Sequence, residues 1–253
     1  MCLILFSWCS HPGYRLILAA NRDEFYNRPT KPAAFWADYP DVLAGRDLEQ
    51  GGTWLGVTKT SRFAALTNYR DPKNNRPDAV SRGHLVKDFL CGTMPPSAYL
   101  NQVDKVADNY NGFNLLVGDS TSLWYYSNKE KRPHKLAPGL YGLSNGLLDN
   151  SWPKVKRGKH LLCQALTAKD LKASALLNLL EDRVEPPETE LPDTGVDIGW
   201  EKTLSPIFIH SPNYGTRAST VLMIEDTGKI IFHERSLLSE AQWTDQNYVI
   251  GSH

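Results

Sequence analysis

The stretch Cys2-Leu3-Ile4-Leu5-Phe6-Ser7-Trp8-Cys9, followed by Ser10-His11-Pro12-Gly13 and then Tyr14-Arg15-Leu16-Ile17-Leu18-Ala19-Ala20, decides the fold class. Two apolar, β-prone runs flank a turn cluster, which is the signature of a hairpin. Their apolar character is continuous rather than alternating. Both faces of the hairpin are therefore expected to be covered, as in the middle of a layered sandwich. The opening run is too short and too soon polar for a membrane span, and it lacks a basic leader. It reads as a buried strand, not a signal peptide.

Working outward, a polar loop is expected from Asn21 to Lys31, leading into Pro32. Thr53–Thr60 and Arg62–Tyr69 read as a strand pair. Val80–Leu90 and Ser97–Tyr110 carry helical periodicity, and Phe113–Gly118 and Leu123–Ser127 return to strand composition. Lys154–Ala165 and Leu171–Arg183 read as helices. Glu185–Gly199 is acidic and proline-rich, and so is expected to be an exposed loop. Ala218–Glu225 and Lys229–Glu234 flank Asp226-Thr227-Gly228, a hairpin turn. Strands, helices, strands, helices, strands in that order predict an α+β fold with segregated layers. No repeat, linker or composition shift divides residues 1–253, so a single domain is expected.

The composition narrows the function. Lys plus Arg equals Asp plus Glu, 28 against 28, among 253 residues. That balance leaves no electrostatic footprint for nucleic acid and no polybasic anchor for stable membrane insertion. The cysteines Cys2, Cys9, Cys91 and Cys163 have neither metal-ligand spacing nor a framework pattern. They read as free thiols in a reducing, cytoplasmic compartment. Gly51-Gly52-Thr53-Trp54-Leu55-Gly56 lacks the spacing of a phosphate loop, and no helix follows it. Its glycines read instead as points of close backbone approach.

Cys2 is the sharpest chemical signal. If Met1 is removed, Cys2 offers a thiol and an α-amine of pKa about 7.7–8.0, which can serve as the thiol's own base. Alone, a small apolar residue at the start of a core strand explains it as well. Its expected neighbours add weight. Asn21-Arg22-Asp23-Glu24 is placed at the rim where the second strand ends. Asn68 and Asn145 stand at later strand ends, where side-chain amides can donate to a developing oxyanion. Arg217, just before a late strand, can orient a carboxylate or thiolate. Taken singly, each reads first as a turn residue or a solvated cation.

Cys2, Asn21-Arg22-Asp23-Glu24, Gly45-Arg46-Asp47, Gly51–Gly56, Leu66-Thr67-Asn68-Tyr69, Tyr110–Asn114, Tyr141–Asn145 and Tyr214-Gly215-Thr216-Arg217 together resemble the NRDE family of transport-and-Golgi-organisation proteins. The likeness runs from Met1 to about Arg235. It implies a four-layer αββα sandwich of the N-terminal-nucleophile hydrolase type. It also implies a cytoplasmic protein linked to haem trafficking, with haem as the transported ligand and haem donor or acceptor proteins as partners. A more distant similarity is to the cysteine N-terminal-nucleophile amidases that cleave penicillin V and conjugated bile salts. It implies Cys2, Asp23, Asn68, Asn145 and Arg217 as a catalytic set. Here the pattern reads Ala20-Asn21-Arg22-Asp23 where the amidases have Gly-Arg-Asn-x-Asp, so Arg22 does not occupy the amidase arginine's place.

Three functions follow as expectations. The first is a haem carrier binding a small amphipathic ligand through Asn21, Arg22, Glu24, Arg28, Trp54 and Tyr69, with Arg22, Arg28 or Arg217 near the propionates. An axial ligand would have to be His, Cys, Met or Tyr. No histidine falls in a family motif, which leaves Cys2. The second is a Cys2 amidohydrolase acting on a small non-peptide amide, and the third a binding module for acyl-CoA or a related lipid metabolite.

Overall fold

The computed structural model describes residues 2–239 and 242–251. The chain opens with β1 (Cys2–His11) and β2 (Tyr14–Phe25), then β3 (Thr30–Phe35), β4 (Val42–Asp47), β5 (Leu55–Thr58) and β6 (Phe63–Asn68). Helices α1 (Gly83–Cys91) and α2 (Pro96–Val106) lead to β7 (Phe113–Gly118), β8 (Leu123–Ser127), β9 (His134–Lys135) and β10 (Gly139–Leu143). After α3 (Pro153–Ala165), α4 (Ala173–Leu179) and α5 (Ile198–Thr203), β11 (Tyr214–Glu225), β12 (Ile230–Ser239) and β13 (Gln242–Ile250) complete the order.

The strands form two antiparallel sheets, ordered β10-β1-β2-β11-β12-β13 and β3-β4-β5-β6-β7-β8-β9. Strand parity sorts the side chains into layers. Ile4, Phe6, Leu16, Leu18, Leu222 and Phe232 of the first sheet meet Leu43, Leu55, Val57, Phe63, Leu116 and Tyr125 of the second. The alternate residues Leu3, Leu5, Ile17, Val221 and Met223 face Val155, Leu162, Leu176 and Leu177 of α3 and α4. On the far side, Val42, Ala64, Leu115 and Val117 pack on Leu85, Phe89, Leu100 and Val103 of α1 and α2. The result is an α+β sandwich with layers α, β, β, α, and the hairpin β1–β2 lies in its middle as its composition required.

Local preference and packing can be weighed at α1. No side chain caps its N-terminus, a loss of about 0.5–2 kcal/mol. It buries Leu85, Val86, Phe89 and Leu90, each contributing about 1.5–3 kcal/mol. Packing wins, and the helix persists. Among the described residues no helix is long and apolar enough to cross a membrane.

Several expected boundaries are corrected. Residues 21–25 are strand, not loop, because β11 pairs with them: Tyr214 lies opposite Phe25 and Thr216 opposite Asp23. Pro32 disguised β3, an edge strand whose register shifts between Lys31 and Ala34, where a proline costs no ladder bond. β4 and β13 were also absent from the reading. β13 is polar along much of its length and is held as a strand by β12, a case of pairing overriding pattern. α4 is shorter than its apolar run, ending at Leu179. The carbonyl of the next residue, Leu180, accepts a hydrogen bond from Asn21 instead, one way of satisfying a helix end. Within the acidic loop, Asp197 caps the short α5 by accepting from the Trp200 N–H.

Candidate functional site

The site lies at one end of the sandwich, where the sheets part around a cavity of about 400 Å³, within the roughly 300–1,000 Å³ of small-molecule sites. Register builds its floor. Cys2 pairs with Arg22, Arg22 with Ala218 and Ala218 with Ser236, so these four stand in a row on the face towards the second sheet. One step deeper, the row Ile4, Ala20, Thr220 and Glu234 closes the bottom. The second sheet contributes Asp47, Trp54, Leu66 and Asn68 to the wall. The segment leading into α1 adds Pro77, Val80, Ser81 and Arg82.

A bulge places Arg217. Thr216 is opposite Asp23 while Ala218 is already opposite Arg22, which leaves Arg217 as the extra residue and turns it to the cavity. Bulges commonly re-aim a side chain in this way beside a site. Its Nη1 donates to the carbonyls of Phe25 and Arg28. Burial, then the neighbouring Arg22, pull its pKa down, and the Glu24 carboxylate opposes them. Arg28 is matched instead: its Nη2 and Nε donate to Asp47 at 2.7 and 3.3 Å.

Cys2 is 7% exposed. Burial pushes its thiol pKa up, helped by the Asp23 carboxylate and opposed by Arg22 and by a hydrogen bond from the Asp23 backbone N–H. A raised pKa favours the protonated thiol, the form of a structural cysteine or a weak ligand.

Asp23 borders the cavity with Cys2. Its Oδ1 accepts from the Thr216 hydroxyl at 2.7 Å. Burial raises its pKa and the Lys154 cation opposes that. Lys154 is itself buried, donates to the Leu204 carbonyl at 3.0 Å, and is pulled by desolvation to a pKa of about 8, with Asp23 opposing.

The remaining expected residues divide into two sets. Arg22, Glu24, Arg28, Trp54 and Asn68 line the cavity with Cys2, Asp23 and Arg217. Asn21, Tyr69 and Asn145 do not. Asn21 points into the helix layer, where its Nδ2 donates to the Leu180 and Ile207 carbonyls, each at 2.9 Å. Its Oδ1 accepts from the Ser219 hydroxyl at 2.7 Å. Asn145 donates its Nδ2 to the Asn68 carbonyl at 2.8 Å, while Ser144 donates to the Cys2 carbonyl at 3.0 Å. Together they clamp the end of β1 to the end of β6. That bond uses one of the two N–H groups of the amide. Tyr69 lies under the Lys129 ammonium, 5.6 Å from its ring centre.

Three contributors escaped the sequence reading. Glu234, 2% exposed, accepts from the Ala33 N–H and the Ser236 hydroxyl at 2.7 Å each, and from the Thr220 hydroxyl at 3.2 Å. Burial raises its pKa. Its signal was legible as a carboxylate in phase with Ile230 and Phe232. Arg82 and Lys154 carried no periodic signal. Among the described residues no histidine, methionine or tyrosine lines the cavity, so Cys2 is its one soft ligand there. Among the described residues, too, no group of three or more His, Cys, Asp or Glu is arranged to hold a metal ion.

Comparison with known proteins follows the same outline. Residues 1–239 match the family model described as Transport and Golgi organisation 2. The Transport and Golgi organization protein 2 homolog of Bos taurus is 41% identical over 259 residues, 94% of each chain. The Mus musculus homolog is 40% identical over 271 residues, 98% of each. A crystal structure of the conjugated bile acid hydrolase from Clostridium perfringens superposes with a TM-score of 0.53 at 10% identity, covering 98% of this chain and 92% of that one. At that identity the likeness is one of fold, the N-terminal-nucleophile hydrolase sandwich.

Proposed function

Because the chain belongs to the Transport and Golgi organisation 2 family, and carries its cavity at Cys2, we propose that it binds and hands on an amphipathic, carboxylate-bearing cofactor, with haem as the transported ligand. One observation carries the reading: a single buried thiol stands among guanidinium groups, with apolar walls from Trp54, Leu66, Val80 and Leu237. The thiol supplies a soft ligand for iron, the arginines suit propionates, and the walls suit a ring. A thiol held protonated must lose its proton to ligate, so the bond is weak, which suits cargo that is released. Titration with haemin tests this. A Soret shift saturating at about micromolar protein is expected, weakened about tenfold or more, or 1.4 kcal/mol, in Cys2→Ala. No shift at micromolar protein would overturn the proposal.

A second reading, hydrolysis of a small non-peptide amide by Cys2, is favoured by one arrangement: the Asp23 N–H meets the thiol while Asn68 borders the same cavity. It requires a free α-amine on Cys2, and Met1, whose removal that demands, lies outside the described residues. Intact mass before and after treatment with a thiol-acylating β-lactone decides it. A Cys2 adduct on a chain lacking Met1 would support hydrolysis; retained Met1 without an adduct would exclude it.

A further inference from the structure

Arg82 stands on the segment that leads into α1 and lines the cavity between Ser81 and Gly83. A glycine contact puts it there. A Cβ on Gly52 would lie 2.6 Å from the Gly83 backbone carbon, and the Thr53 N–H donates to the Gly83 carbonyl at 3.2 Å. The start of α1 is thereby pressed against the lead-in to β5, beside Trp54. One Arg82 nitrogen, Nη1, is held by the Gly112 carbonyl at 3.0 Å. Arg82 shares the cavity with Arg22 and Arg217, and all three come from different elements.

The neighbouring acids do not balance these cations. Asp47 and Glu49 are taken by Arg28 at 2.7 and 3.5 Å, Asp23 accepts from the Thr216 hydroxyl, and Glu234 is held by three donors of its own. Glu24 is left, 3.5 Å from Arg22. Arg217 is 7% exposed, and its Nε is buried without a hydrogen-bond partner. The α1 N-terminus, uncapped by any side chain, adds its partial positive charge on the same side.

We infer that Arg82, with Arg22 and Arg217, forms a carboxylate subsite beside Cys2, Arg82 being the residue that selects an anionic head group. The inference rests on the carrier reading and deepens it: the ligand enters carboxylate first, and a neutral ester of the same shape is discriminated against.

Alkylation of Cys2 in the intact protein by iodoacetate and by neutral iodoacetamide tests this, scored by mass on the N-terminal peptide with exposed Cys163 as internal reference. In both reactions the thiolate displaces iodide. A change in thiol pKa affects both reagents alike, so the ratio of rates reports the field of the subsite. That ratio is expected to be about tenfold higher at Cys2 than at Cys163. It should fall roughly three- to tenfold in Arg82→Gln, recover in Arg82→Lys, and shrink with added salt. Equal ratios at the two cysteines, or a ratio indifferent to Arg82→Gln, would overturn the subsite. Failure of both reagents to label Cys2 would overturn it too, since a small anion would then not reach the thiol. Haemin binding is read separately. A protein that takes up haemin but shows no preference for iodoacetate loses the subsite and keeps the carrier reading, and the reverse pattern does the opposite.

Discussion

Glu201→Ala is expected to cost about 3–5 kcal/mol of folding stability, the range for stranding one partner of a buried ion pair. Glu201 on α5 and Arg70 just beyond β6 are ion-paired, with side chains 3% and 6% exposed. The other carboxylate oxygen accepts from the Thr194 hydroxyl and from its N–H. The Arg70 guanidinium also stacks 4.7 Å from the Trp152 ring centre, and burial lowers its pKa. Removing the acid leaves a cation in a place that water reaches poorly. Urea unfolding should show the midpoint falling with the slope unchanged. Glu201→Gln, which keeps an acceptor, should cost less, about 1–3 kcal/mol. A loss under about 1 kcal/mol in the alanine variant would mean that solvent already shares the pair. The consequence reaches the site, because the Arg70 N–H donates to the Asn145 carbonyl at 2.7 Å and Asn145 holds the end of β6.

Asn21→Ala is the second large effect. Its amide serves the Leu180 and Ile207 carbonyls and the Ser219 hydroxyl, all buried behind the sheet. Each group left without its partner costs about 1–3 kcal/mol, so about 3 kcal/mol in total is expected, allowing for relaxation. Asn21→Asp is informative because it keeps the shape and removes the donor. Burial would raise that carboxyl's folded-state pKa above its unfolded value. The penalty of the ionised form is then present above the folded pKa and lost as pH falls through it. The Asn21→Asp variant should therefore gain on the wild type between about pH 7 and pH 5 in thermal melts. A constant difference over that range would contradict the two-carbonyl clamp.

Asn21 also shows how far the motif could be read without coordinates. Asn21-Arg22-Asp23-Glu24 was legible as a unit lying near Cys2, and the register of Cys2 with Arg22 bears out that proximity. Its division of labour was not legible. A loop would leave all four free to serve one pocket. A strand sends them alternately to opposite faces, and residues 21–25 are strand because β11 pairs with them. Arg22 and Glu24 thus reach the cavity, while Asn21 is committed to the helix layer. The same limit applies to Asn145, whose place at a strand end was expected but whose donation to the Asn68 carbonyl was not legible. Hydrogen-bond partners distant in sequence leave no periodic trace.

By itself the sequence determined the central hairpin and the segregation of strands and helices. These follow from apolar runs and turn residues only a few positions apart, and local chemistry suffices for them. The tertiary structure alone decided what surrounds Cys2. Pairing with β11 and its bulge aimed Arg217, a two-glycine contact brought Arg82 in, and the packing of the two sheets enclosed Glu234. Each depends on which surfaces meet across many residues of chain, and neither residue type nor period specifies that meeting.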